Sequence, residues 1–85
     1  MKIAMQSTAR SYTYTVLLWP DSETGDVAAT VPSLPGCVAQ GQSREEALQF
    51  IRAAIRQHVD GMLEDGVDVP FEDAHAQAEI VTIAA

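Results

Sequence analysis

The chain is short of the groups on which most protein chemistry depends. Its 85 residues hold one cysteine, two histidines and five basic side chains. A single cysteine closes no internal disulfide and fits a reducing compartment. The basic residues Lys2, Arg10, Arg44, Arg52 and Arg56 are scattered, whereas gripping a polyphosphate backbone takes clustered Lys and Arg. Direct contact with nucleic acid is therefore not expected. No apolar run approaches the ~20 residues of a membrane span, and the opening "MKIAMQSTARS" has no apolar stretch of signal-peptide length. A cytoplasmic protein without membrane contact is expected. Also missing are G-x-G-x-x-G, the P-loop, C-x-x-C, H-x-x-x-H and a regularly spaced carboxylate loop, so nucleotide, zinc and calcium chemistry lack their usual residues. No repeat, low-complexity tract or second domain is visible, and no cofactor is implied.

What the chain does have is acid and a modest core. Twelve acidic residues against five basic give a formal charge of −7, and 47% of the residues are apolar. A domain of this size buries roughly 60–65% of its unfolded surface and is marginal without a partner. Acidity keeps such a protein in solution and also suits it to a basic protein partner.

Residues 1–11 show no clear period and read as a flexible N-terminus, leaving 12–85 as a single domain. "YTYTVLLW" (12–19) is rich in β-branched and aromatic residues and reads as a strand, with Tyr12, Tyr14, Val16 and Leu18 on one face and Thr13, Thr15, Leu17 and Trp19 on the other. "PDSETGD" is a turn, and "VAATV" (27–31) a second strand of an antiparallel hairpin. "PSLPG" turns the chain again, and "CVAQG" (37–41) is a short third strand. Ser43 and Glu46 form an S-x-x-E capping box. The helix behind it runs to about Asp65, with Ala47, Leu48, Ile51, Ala54, Ile55, Val59 and Met62 on one stripe and Gly66 as its stop. After the acidic "FEDAHAQA", the segment "AEIVTIA" (78–84) reads as a last strand. The expected fold is α+β, in the order β-β-β-α-β: a three-strand antiparallel meander joined by a fourth strand, one helix on one face. Leu17 and Trp19 make the second face of the first strand apolar too. A sheet with one solvated face normally alternates cleanly, so that face or an edge is expected to meet another chain.

No catalytic constellation emerges. Cys37 could pair with His58 or His75 as a thiolate–imidazole couple, yet no spacing demands it. A small thiol opening a strand is ordinary core, His58 belongs to the edge of the helical stripe, and His75 lies in an acidic loop. Glu72, Asp73 and His75 offer too few ligands for a metal. The topology resembles a fragment of the ribonuclease H fold, but two-metal hydrolysis needs converging carboxylates and residues 12–19 carry none. Asp21, Glu23 and Asp26 sit where acidic residues simply make good turns. No enzymatic activity is expected.

The run from Tyr14 to Pro70 resembles the HicB antitoxin family, also described as HicB-like or UPF0150 proteins. Pro32, Ser33, Leu34, Pro35, Gly36 and Cys37 match its P-D-L-P-G-C corner, Gly41-Gln42-Ser43 its cap and Glu45-Glu46-Ala47 its first helical turn. Ser33 stands where Asp or Glu is common. Pro32, Pro35, Gly36, Cys37, Gly41, Ser43 and Glu46 read as builders of the fold rather than agents of chemistry.

The resemblance implies an antitoxin that binds and occludes a HicA-like toxin, a small basic ribonuclease that cleaves mRNA, and a homodimer or higher homo-oligomer. Many members also carry a DNA-binding domain, but 85 residues leave no room for one after the last expected strand, so a short form without operator binding is expected. Leu17 and Trp19 are expected to supply contact area, and Glu23, Asp26, Glu64, Asp65 and Asp68 to steer a basic toxin. The rival reading is an orphan HicB-like module that self-associates or binds a small ligand and has no toxin.

Overall fold

The computed structural model describes residues 2–6, 11–72 and 76–84, with the side chains of 4–6 left aside. The elements are β1 (Lys2–Gln6), β2 (Ser11–Thr15), β3 (Leu17–Pro20), β4 (Val27–Thr30), β5 (Val38–Gly41) and α1 (Arg44–Glu64). The fold is α+β, as expected. Strands β3, β4 and β5 form the antiparallel meander, with Leu17 opposite Thr30 and Ala29 opposite both Leu18 and Ala39. The single expected strand 12–19 is two elements separated at Val16. Its first half pairs with β1 and its second half with β4.

Two expectations are corrected. Within the N-terminus read as flexible, residues 2–6 are a strand antiparallel to β2, with Lys2 opposite Thr15 and Gln6 opposite Ser11. β1 holds its place by position: Ile3 is buried in the core. The fourth strand expected at 78–84 is not formed, and all of 76–84 is exposed. One edge of β2 is held by β1, and among the described residues no strand takes up 78–84.

The alternation of residues 12–19 survives the break. Tyr12, Tyr14 and Val16 are buried against the helix side, while Trp19 is 59% exposed. Ala47, Ile51, Ile55 and Val59 bury the helical stripe in the same core, with Leu48 and Ala54 packed at its margin; Gln49, Arg52, Arg56 and Asp60 face water. Burying apolar side chains of this size is worth about 1.5–3 kcal/mol each, so one helix face and one sheet face hold each other in place.

The helix ends are set by single residues. Ser43 Oγ accepts from the Glu46 amide at 3.1 Å. The Glu46 carboxylate reaches the amide of Gln42 at 2.9 Å, one residue earlier than a reciprocal capping box places it. At the other end the Val67 amide donates to Met62 O and the Gly66 amide to Leu63 O, the paired bonds of a Schellman stop. Gly41 lets the helix start lie on β5: a Cβ there would come within 2.5 Å of the Ala47 nitrogen.

Candidate functional site

The corner at residues 31–37 is structural. Leu34 is fully buried, its amide donates to Val31 O, and the Cys37 amide donates to Leu34 O. Gly36 has φ of 85°, in the left-handed region that a side chain disfavours. Cys37 is 4% exposed, and burial pushes its thiol pKa up, the reverse of what a nucleophile needs. Cys37 and His58 do line one small cleft of about 210 Å³ between the corner and α1, but the thiol stays in its neutral form there. Asp73 and His75 lie outside the described residues; among the described residues no three His, Cys, Asp or Glu groups converge on a metal site.

A different cluster ties the chain beyond the helix to the sheet. Tyr14 donates its hydroxyl to Pro70 O at 2.7 Å, and the rings of Tyr12 and Phe71 pack with centroids 5.5 Å apart. Glu72 accepts from Lys2 Nζ at 2.6 Å, from the Thr15 amide at 2.9 Å, from the Thr15 hydroxyl and from Ser33 Oγ at 3.1 Å. Burial pushes the Glu72 pKa up, but the bonds from Lys2, Thr15 and Ser33 outweigh it and bring the carboxyl down to about 2. Four donors aimed at one carboxylate are a fastening, and the Ser33 hydroxyl is one of them.

The face of the meander away from α1 is the candidate site. The register places Trp19 beside Ala28 and Ala28 beside Gln40, and Leu17 beside Thr30 and Thr30 beside Val38. Val38 is 62% exposed, and Trp19 Nε1 lies 3.5 Å from Thr30 Oγ1. At the turn end an open concavity of about 470 Å³ is lined by Trp19, Pro20, Asp21, Ser22, Asp26, Ala28 and Gln40. Its rim is held by local hydrogen bonds. Asp21 Oδ1 accepts from the amides of Glu23 and Thr24, the Asp21 amide donates to Asp26 O, and Gln40 Nε2 donates to Asp26 Oδ2 at 3.1 Å. An exposed indole edged by carboxylates is suited to a cationic side chain laid on the ring.

The structure brings Leu17, Trp19, Glu23 and Asp26 to this face and its turn. Glu64, Asp65 and Asp68 lie elsewhere. The helix starts on Gly41, which pairs with Val27 next to Asp26, and its 21 residues carry the chain ~30 Å away at 1.5 Å per residue. Val38 and Gln40 join the face although sequence reasoning passed over them, since only the register of three strands puts them beside Trp19; Asp21, read from the sequence only as a turn former, lines the same concavity.

Comparison with known proteins gives a consistent result. The family profile described as "HicB_like antitoxin of bacterial toxin-antitoxin system" matches residues 14–82. A UPF0150 protein of Thermoplasma acidophilum is 38% identical over 61 residues, 72% of this chain and 87% of that protein. A UPF0150 protein of Synechocystis is 40% identical over 62 residues, 73% of this chain and 77% of that protein. An uncharacterized 14.9 kDa protein of Haemophilus phage HP1 is 42% identical over 41 residues, 48% of this chain and 31% of its own length. No solved structure matches the chain significantly.

Proposed function

As the chain belongs to the HicB-like antitoxin family of bacterial toxin–antitoxin systems, we propose that it neutralises a HicA-like RNA-cleaving toxin in the cytoplasm by covering the toxin's active surface. The observation that carries this is the outer sheet face: an indole 59% exposed on a hydrogen-bonded sheet beside the carboxylates of Asp21 and Asp26. A ribonuclease must present cations where RNA binds, and an acidic face with an aromatic anchor competes for those cations. Large aromatics are the residues that most often dominate such contacts. Leu17 and Val38 extend the apolar area, and Glu23 adds charge at the turn. Glu64, Asp65 and Asp68 act at a distance, raising the encounter rate rather than the lifetime of the complex.

The test is binding of the purified chain to a small basic protein encoded beside it. Trp19→Ala weakens that complex by at least about tenfold, the scale of a 1.4 kcal/mol loss, with an unchanged far-UV spectrum because the indole is outside the core. Undiminished affinity in a folded Trp19→Ala protein removes this face from the reading. An orphan module, by contrast, has no such neighbour and captures none.

A further inference from the structure

We propose that residues 78–84 are a β-strand given to a second copy of this chain, where they pair along the free edge of β5. The segment "AEIVTIA" combines three β-branched apolar residues with a threonine, the composition of a strand. Ile80, Val81 and Ile83 are 96%, 77% and 81% exposed, so the segment presents to water side chains of the kind the rest of the chain buries. The chain's radius of gyration of 14.2 Å exceeds the roughly 12 Å of a compact domain this long, as a projecting segment requires.

The edges of the chain select the place. β1 fills one edge of β2 and itself carries Lys2, a charge of the kind that guards an edge, and Glu72 takes the Thr15 amide at the end of β2. β3 ends in Pro20, which has no amide to donate. β5, "VAQG", carries neither charge nor proline, the two devices that commonly guard an edge, and its Val38 is 62% exposed. Charge agrees: in a chain of net −7 two copies repel, yet β5 is uncharged and 78–84 carries only Glu79. The Glu72 fastening holds the chain to its own sheet just before residue 73, and residues 76–84 beyond it form no strand with that sheet and stand in water. Reciprocal donation by two copies covers both segments and both edges and closes with two-fold symmetry. Val38 belongs both to this edge and to the outer face, so the self-contact is tested on the chain alone, without a toxin, and its outcome does not depend on toxin binding.

Light scattering on the full chain gives the oligomeric state, and cysteine cross-linking gives the contact. In a Cys37→Ser background, Val38→Cys is combined in turn with Ile80→Cys, Val81→Cys and Ile83→Cys. The expected result is a dimeric chain, an inter-chain disulfide from at least one pair and not from either cysteine alone, and a dimer dissociation constant raised at least tenfold by Val81→Lys with far-UV circular dichroism unchanged. A monomer at 100 µM, a disulfide closing within one chain, no cross-link in any pair, or equally efficient dimers from a tail cysteine alone each overturns the proposal.

Discussion

Glu72 shows how much one side chain can decide. Its folded pKa of about 2 lies below the ordinary 4.5, so the carboxylate form is the one the fold prefers. The stability it contributes is complete above the ordinary pKa and is lost as pH falls from about 4.5 toward 2. Glu72→Gln is expected to cost about 2 kcal/mol at pH 7, the range of hydrogen bonds to a charged group. The gap between wild type and variant in urea melts should narrow as the pH falls from about 4.5 toward 2. Ser33 is read through the same carboxylate: Ser33→Asp sets a second negative charge where a hydroxyl donates at 3.1 Å. It is expected to lower the melting temperature at neutral pH, whereas Ser33→Asp combined with Glu72→Gln should recover part of the loss. None of this was legible in the sequence. Glu72 sat in an acidic connection, and its partners are 39 to 70 residues away, beyond the reach of any periodicity.

At the scale of elements, what is local was legible and what depends on pairing was not. The helix declared itself through a 3.6-residue stripe, a serine cap and a glycine stop, each contained within a short stretch of chain. The cap makes a prediction: Ser43→Ala should cost about 1 kcal/mol in thermal melts. Gly41→Ala should cost more, about 1–3 kcal/mol as overpacking does, because the added carbon meets helix backbone at 2.5 Å and not the yielding tip of a side chain. β1 escaped notice because "KIAMQ" has little strand character alone; it is a strand because Ser11–Thr15 offers it an edge and the core accepts Ile3. The reverse holds at 78–84, where strand composition is plain and no edge of the same chain takes it up. Strand propensity measures fit to a neighbour, and the neighbour is not written in the segment itself. The two faces of residues 12–19 were readable because alternation fixes them, but the face around Trp19 needed the register that adds Val38 and Gln40.

For the whole molecule, charge and shape point the same way. A domain of net charge −7 approaches a basic partner faster than a neutral one does, and that advantage is screened over about 8 Å at physiological salt. Raising salt from 50 to 500 mM is therefore expected to slow association with the toxin several-fold while changing the dissociation rate less, as stopped-flow or surface-binding kinetics would record. The corner and cap motif carry the family resemblance, and what they do in the fold is local: they turn the chain into β5 and start the helix on Gly41. Whether that face occludes a ribonuclease is decided by titrating the chain into an RNA-cleavage assay of a small basic ribonuclease encoded beside it. Cleavage is expected to stop at a fixed stoichiometric ratio, and Trp19→Ala, folded as wild type, to need at least about tenfold more protein for the same inhibition, the scale of a lost anchor residue. Cleavage that continues unchanged with the chain in excess would contradict the occlusion of a ribonuclease by this protein.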